Sequence, residues 1–127
     1  MATEVVTRTR RYFLGDDGIV RVTVLPGAEE TLADAMENVR AGGELLGVQR
    51  RPVLDDSRRI KSVERDARAY YAGPEATRMV SAAAVLIGSP IQRIILNFFV
   101  MLNKPPFPVR FFTSEAEAVV WLKGFVR

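Results

Sequence analysis

The sequence predicts an α/β fold with a single mixed β-sheet of about five strands and helices packed on it. Two β-patterned segments open the chain, and a tight turn separates them. Three later β-patterned segments alternate with helical segments, which is typical of parallel strands joined by right-handed crossovers. The predicted order is β-β-α-β-α-β-α-β-α, in one domain that spans residues 1–127.

The two opening segments are predicted to form an antiparallel hairpin. The segment from Thr3 to Leu14 is rich in valine, threonine and aromatic residues, which favour strands. From Ile19 to Leu25, valines alternate with Arg21 and Thr23, so one face of that strand is apolar. The segment "GDDG" between them supplies the turn.

Two helices with recognisable N-caps are predicted next. The first has Thr31 as its N-cap and Asp34 three residues later, and Gly42 is placed to end it. A short strand from Pro52 to Asp55 follows. The second helix is predicted to begin with Ser62 as its N-cap, so Ser62→Ala is expected to cost about 1 kcal/mol.

The second half of the chain holds the clearest buried strand and the strongest helix start. The run "SAAAVLIG", from Ser81 to Gly88, is predicted to be a strand buried on both faces, as in parallel sheets. A helix begins at Pro90 with Ser89 as its N-cap, and the prolines of "NKPPFP" end it. The last strand is predicted from Val109 to Thr113, and Ser114 caps a final helix.

The composition excludes several kinds of chemistry. The chain has no cysteine, so disulfides, thiolate metal sites and thiol catalysis are excluded. It has no histidine, the commonest general base and metal ligand, so we expect no enzyme activity, no cofactor and no metal. The formal net charge is only +3 and opposite charges alternate closely, which argues against a nucleic-acid partner.

Two polar pairs could suggest catalysis, and each has a simpler interpretation. Asp55 and Asp56 are adjacent on or just after a strand, so they point to opposite faces and do not form a carboxylate dyad. One of them is expected to cap the next loop and the other to face solvent. Ser57 and Lys61 have helical spacing, but their segment is typical of a loop and no oxyanion hole is indicated.

The sequence favours a cytoplasmic protein without a membrane span. The N-terminal segment "MATEVVTRTRRYF" lacks the long apolar region of a signal peptide. The longest mostly apolar run, Ile94 to Leu102, is shorter than the roughly 20 residues that cross a bilayer.

The helix that begins at Pro90 is apolar almost all the way round, with one narrow polar stripe. This apolar surface is wider than a helix on one face of a sheet needs, so we expect a homodimer that buries part of it. Burial by neighbouring parts of the same chain and burial by an apolar ligand are the alternatives. The candidate binding or interface residues are Ser89, Arg93, Asn97, Phe99, Met101, Asn103 and Lys104.

From "RPVLDD" to "EAVVWLKG", the sequence resembles STAS/SEC14-like proteins of the SpoIIAA-like superfamily. The segments "GSPIQRIILNFFVMLNKPPFPVRFF" and "TSEAEAVVWL" resemble a branch of uncharacterised bacterial proteins. This resemblance implies a mixed sheet covered by helices. In antagonist proteins of that superfamily, a serine in a "DSSG"-like motif at the start of the second helix is phosphorylated to switch a partner. Here "IKSVERD" replaces that motif, and Ser62 is the nearest equivalent and the candidate regulatory residue.

Two functions follow as hypotheses. The first is a non-catalytic, self-associating interaction or regulatory module that docks an unidentified protein partner. The alternative is a binder of a small apolar or lipid-like ligand, which the apolar helix and the SEC14-like resemblance suggest. A flat apolar face would favour the first hypothesis, and a pocket would favour the second.

Overall fold

The computed structural model of the protein describes residues 3–47 and 49–126. It contains the predicted strands and helices and adds short elements between them. In chain order the elements are β1 (Glu4–Val6), β2 (Arg10–Leu14), β3 (Val20–Val24), β4 (Glu29–Glu30), α1 (Leu32–Leu46), β5 (Arg51–Asp56), β6 (Ser62–Val63), α2 (Arg65–Tyr71), α3 (Pro74–Thr77), β7 (Val80–Leu86), α4 (Pro90–Asn103), β8 (Val109–Phe112) and α5 (Glu115–Lys123).

The main sheet is mixed, as predicted, with strand order β1-β2-β3-β5-β7-β8. The first three strands are antiparallel, and β3, β5, β7 and β8 are parallel to one another. The sheet has six strands in place of the predicted five because the segment Thr3–Leu14 folds back on itself. The Thr7 amide donates to the Arg10 carbonyl at 2.8 Å and turns the chain between β1 and β2.

A second, two-stranded sheet changes the prediction for Ser62. Strands β4 and β6 pair in parallel, with Glu29 opposite Ser62. The Ser62 amide donates to the Ala28 carbonyl at 3.2 Å, so the chain is extended here and α2 begins later, with Glu64 as its N-cap. The predicted N-cap at Ser62 is therefore wrong, and the stability loss expected for Ser62→Ala no longer follows.

Helix α1 continues past Gly42, where the sequence predicted its end. It runs to Leu46 and stops at Gly47, whose φ of 68° lies in the left-handed region. A Cβ at Gly42 would lie 3.0 Å from the ring of Tyr12, so this glycine lets α1 approach β2 closely. Gly42 therefore serves helix–sheet packing and not helix termination.

Helices cover the two faces of the sheet unequally. On one face α5 packs on the parallel strands, where the buried residues are Ile19, Leu54, Ala82, Ala84, Leu86, Phe112, Ala118 and Leu122. On the other face α1 covers the hairpin, where the buried residues are Tyr12, Val20, Val22 and Leu45. Within the described residues, this second cluster includes none from β7 or β8. That part of the second face is left for α4.

A buried polar network joins the hairpin to β4 and α1. Glu30 is fully buried, and Arg10 is 9% exposed. Arg10 donates from Nε to Glu30 Oε2 at 2.9 Å and from Nη2 to Glu30 Oε1 at 2.7 Å. The Thr9 hydroxyl and the Asn38 amide donate to Glu30 Oε2 at 2.7 and 2.9 Å. Burial raises the pKa of Glu30, but the hydrogen bonds and charge of Arg10 outweigh it, so the carboxylate stays ionised.

Loss of the buried carboxylate should destabilise the fold strongly. In Glu30→Ala the Arg10 guanidinium stays buried without its partner, and breaking such a pair costs about 3–5 kcal/mol. The exposed pair of Glu4 and Arg11, 2.8 Å apart, gives a matched control. Glu4→Ala should cost less than about 1 kcal/mol. Urea unfolding at pH 7 measures both variants, and equal losses would contradict the prediction.

Candidate functional site

Helix α4 is hydrogen-bonded to neighbouring segments at its N-terminal end, but its side chains do not pack closely against the sheet. Its N-cap is as predicted, since Ser89 Oγ accepts from the Gln92 amide at 3.1 Å. The Gln92 side chain accepts from the Gly88 amide at 2.6 Å and donates to the Ser57 carbonyl at 2.9 Å. None of the helix's own residues, all of which the structure describes, is buried. Phe98 is exposed and Phe99 is half-buried, so neither aromatic belongs to the core.

A cavity of about 650 Å³ lies between α4 and the sheet. Small-molecule pockets in proteins have volumes of roughly 300–1,000 Å³ and mostly apolar walls. The floor is formed by side chains of the sheet: Val20, Val22, Val53, Val80 and Ala83. The opposite wall is formed by α4 and the loop after it: Ile95, Leu96, Phe98, Phe99, Leu102 and Phe107. This cavity is the candidate functional site.

The floor of the cavity corrects the prediction made for β7. On the α5 side of this strand, Ala82, Ala84 and Leu86 are fully buried. On the cavity side, Ala83 and Val85 are only half-buried, because α4 stands off the sheet above them. The strand is parallel to both neighbours, as predicted, but it is fully buried on one face only.

A half-buried carboxylate, that of Asp55, lies in the inner wall of the cavity. Asp55, on β5, is half-buried, and its Oδ1 accepts from the Ser57 hydroxyl at 2.7 Å. Burial raises the pKa of the Asp55 carboxyl, and the charge of Arg10 and the Ser57 bond offset this only in part. Among residues 3–47 and 49–126, no cationic side chain forms an ion pair with Asp55. The cavity thus combines apolar walls with an acidic group that has no ionic partner there.

The buried network of Arg10 forms a polar end of the cavity beside Asp55. The Arg10 guanidinium lies 4.3 Å from the ring centre of Tyr71, and Asn38 Nδ2 is 2.9 Å from Tyr71 Oη. Burial raises the pKa of Tyr71, and it raises the pKa of Tyr12 to about 12. Both phenols are therefore uncharged at neutral pH. All four of these side chains line the cavity and can donate or accept hydrogen bonds there.

The structure divides the residues predicted as an α4 interface between two sides of the helix. Phe99 lines the cavity. Arg93, Asn97 and Met101 are exposed and do not line it, and Met101 is 72% exposed. Phe99 and Met101 therefore lie on different sides of α4, and each keeps its candidate role there.

The remaining candidates lie outside the cavity wall. Asn103 Nδ2 donates to the Phe99 carbonyl at 2.8 Å, and Lys104 is the C-cap of α4 with φ of 43°. These two residues end the helix and are exposed. Ser62 is exposed on β6, in the two-stranded sheet. Its phosphorylation stays a prediction.

Sequence reasoning missed Asp55 as a cavity residue. It predicted one aspartate as a loop cap and one in solvent, and Asp56 has the first role. Asp56 Oδ1 accepts from the Arg58 amide at 3.2 Å, and its side chain pairs with the Arg58 guanidinium. Asp55 faces the cavity, on the same side of β5 as Val53. The alternation along β5 was the available signal, but the position of α4 above that face was not predicted.

Residues 3–47 and 49–126 contain no Ser57–Lys61 pair, no metal-binding cluster and no membrane-spanning helix. The Ser57 hydroxyl bonds to Asp55, while Lys61 Nζ lies 3.7 Å from Glu29 Oε1, so Ser57 and Lys61 do not form a pair. Within residues 3–47 and 49–126, no cluster of three acidic side chains could hold a metal ion. No helix of the same residues is long and apolar enough to cross a membrane.

Comparisons with known proteins show a family and a fold and name no activity. The family model described as "Domain of unknown function (DUF7793)" matches residues 12–126. An uncharacterised protein of Shewanella loihica PV-4, from the DUF3478 family with a SpoIIAA-like fold, is 14% identical, with a TM-score of 0.62 over 94% of this chain and 90% of that chain. A protein of unknown function from Arthrobacter sp. FB24 is 35% identical over 95% of this chain and 98% of that chain, with a TM-score of 0.36. No curated protein matches the sequence. The first structure shows that the fold is SpoIIAA-like, as the resemblance implied.

The two neighbouring aspartates should affect stability in opposite directions. The pKa of Asp55 is raised in the folded state, so the free energy of unfolding falls as pH rises from about 4 through that pKa. Asp55→Asn should therefore raise the free energy of unfolding at pH 7, with no gain at pH 3. Chemical unfolding at both pH values measures this.

Asp56→Asn is the matched control on the opposite face of β5. Hydrogen bonding to Arg58 lowers the pKa of Asp56, so its contribution is present at pH 7 and is lost as pH falls. Asp56→Asn should lower the free energy of unfolding at pH 7 by up to about 1 kcal/mol. A loss of stability at pH 7 in Asp55→Asn would show that burial does not control the Asp55 carboxyl.

Proposed function

This chain belongs to the DUF7793 family, and we propose that it binds a small, mostly apolar ligand in the cavity between α4 and the sheet. The observation that carries the proposal is the cavity of about 650 Å³, whose walls are apolar side chains from both the sheet and the helix. The resemblance to SEC14-like proteins favours the same function. Binding is proposed without catalysis, because the chain has no histidine or cysteine to act as base or nucleophile.

The energetic argument rests on the inner side of α4. Leu96 and Phe99 are only half-buried, and Ile95 is 62% exposed, although all three line the cavity. Fully burying one such side chain contributes about 1.5–3 kcal/mol. A ligand that fills the space supplies that burial to several side chains at once. The empty cavity is therefore the costly state, and occupancy stabilises the position of α4.

The N-terminal end of α4 is fixed by hydrogen bonds, so the helix can cover a ligand in the cavity. Gln92 connects the helix to the Ser57 carbonyl, one side of the cavity, and to Gly88 at the end of β7. Arg68 and Glu75 line the cavity and are exposed, so they mark its opening to solvent. A ligand can enter at this opening while the Gln92 bonds stay in place.

Blocking the cavity should remove binding of an apolar probe. Nile red is uncharged and fluoresces strongly in apolar surroundings, and the wild type should bind it saturably. Ala83→Phe places a ring on the cavity floor and should weaken Nile red binding at least tenfold, as measured by fluorescence titration.

Ala116→Phe is the matched control for Ala83→Phe. Ala116 is exposed on α5, on the opposite side of the sheet, so the same substitution there should leave Nile red affinity unchanged. Circular dichroism checks that both variants fold. Equal affinity in the wild type and in a folded Ala83→Phe variant would show that the dye, and the proposed ligand, do not use this cavity.

Self-association through α4 is a second candidate function, and a separate observation favours it. Six large apolar side chains of α4 are 62–72% exposed: Ile91, Ile94, Ile95, Phe98, Met101 and Leu102. Contiguous apolar patches of more than a few hundred Å² are rare on monomers, and a standard interface buries about 800 Å² per partner. Ile91, Ile94 and Met101 do not line the cavity, so a second copy could cover them while a ligand occupies the inner side.

The second candidate predicts a dimer that a charge on the outer side of α4 disrupts. The wild type should be dimeric at tens of micromolar in light scattering, and Met101→Asp should be monomeric because it buries a carboxylate at the contact. Ala116→Asp adds the same charge at an exposed position of α5, on the opposite side of the sheet, and should stay dimeric. A monomeric wild type would reject self-association and leave the cavity proposal intact.

A further inference from the structure

We infer that the ligand of this cavity carries a protonated amine on an apolar body, and that Asp55 is the anionic partner of the amine. The inference rests on the proposed function, since it names the chemical class that the same cavity binds. Three features of the structure support it: the position of Asp55, the way in which Arg10 is paired, and the lack of charge on the other polar groups of the inner wall.

Asp55 presents a carboxylate to the cavity with part of its hydrogen-bonding capacity unused. Its Oδ1 accepts from the Ser57 hydroxyl at 2.7 Å. In the part of the chain that the structure describes, no protein group donates to Oδ2 and no Lys or Arg forms an ion pair with Asp55. A carboxylate can accept about four hydrogen bonds, so a ligand can supply donors that the protein does not.

Arg10 offsets the charge of Asp55 only in part, because its guanidinium is hydrogen-bonded to Glu30. Both its Nε and its Nη2 donate to Glu30, at 2.9 and 2.7 Å, so its positive charge is already paired with a fully buried carboxylate. Arg10, Glu30 and Asp55 together carry one surplus negative charge when all are ionised. The surplus lies at the cavity wall, on Asp55.

The other lining groups leave that surplus in place. Tyr12, Tyr71 and Asn38 are uncharged at neutral pH. Arg68 and Glu75 are both exposed at the opening, where water screens their charges. When Asp55 is ionised, the inner end of the cavity therefore has a negative charge without a paired cation, next to apolar walls.

A protonated amine matches this arrangement better than the other common head groups do. An ammonium group brings a positive charge and three donors, which can reach the Asp55 carboxylate and a neighbouring hydroxyl such as that of Ser57. A hydroxyl brings a donor without charge, and a carboxylate would be repelled by Asp55 in surroundings of low polarity. The structure thus favours an amine over an alcohol, and an alcohol over an acid.

Three probes with one alkyl chain and different head groups test this order. Octylamine, 1-octanol and octanoate are titrated into the 127-residue protein by isothermal calorimetry at pH 7. Octylamine should bind at least tenfold more tightly than 1-octanol, and octanoate should bind most weakly. Asp55→Asn should bring octylamine to within about threefold of 1-octanol and leave 1-octanol unchanged. The control Asp56→Asn, on the opposite face of β5, should keep the wild-type order.

The outcomes separate this inference from the proposed function. Binding of 1-octanol as tight as that of octylamine, or tighter binding of octanoate, overturns the amine assignment. An amine preference that persists in Asp55→Asn also overturns it. If Ala83→Phe still abolishes 1-octanol binding in those cases, the cavity proposal survives alone. Failure of all three probes to bind to the wild type overturns both.

Discussion

The Arg10 guanidinium and the Glu30 carboxylate meet in the interior, and much of the molecule is arranged around that pair. Glu30 reaches Arg10 because β4 pairs with β6 and holds the chain beneath the hairpin. Asn38 ties α1 to the pair, and the ring of Tyr71 brings α2 against Arg10. A buried pair of this kind is stable only when every member is bonded, so strands and helices far apart in sequence must meet at one place. The same pairing occupies the charge of Arg10 and leaves Asp55 without a counterion among the described residues.

The second constraint is the incomplete packing of α4. Its sequence is apolar enough for a buried helix, yet it lies above a floor of valine and alanine side chains without filling the space between. The hydrophobic effect favours closing that space or filling it. Because Gln92 anchors only the start of the helix, and the floor side chains are short, the chain's own residues leave the space open. Apolar ligand binding and self-association are two ways to cover α4, and they use different sides of the helix.

Much of the fold could be predicted from local patterns, because the signals lie within short segments. The caps at Thr31, Ser89 and Ser114 and the alternation in β3 are each visible in a few residues, and each is confirmed. The wrong predictions concern residues at which tertiary contacts outweigh the local preference for a helix cap or a helix end. The Ser62 side chain could cap a helix, but the pairing of β6 with β4 keeps the backbone at Ser62 extended.

The candidate site was harder to predict because it depends on contacts distant in sequence. A glycine such as Gly42 is typical of a helix end. Here it lies inside α1, because the ring of Tyr12 leaves little room for a side chain at this position. Asp55 could be assigned to a strand face, but only the position of α4 turns that face into a cavity wall. Likewise, the apolar surplus of α4 was visible in the sequence, whereas its division into a cavity side and an outer side was not.

Methyl NMR shows directly whether a ligand occupies the space between α4 and the sheet. In a titration with octylamine, the methyl groups of Val53, Ala83 and Leu96 line the cavity and should show the largest shift changes. The methyl groups of Ile94 and Met101 lie on the same helix but outside the cavity, and they should change little. We expect saturable changes confined to the first group, as binding in the cavity requires. Changes centred on Ile94 and Met101, or none at all, would contradict it.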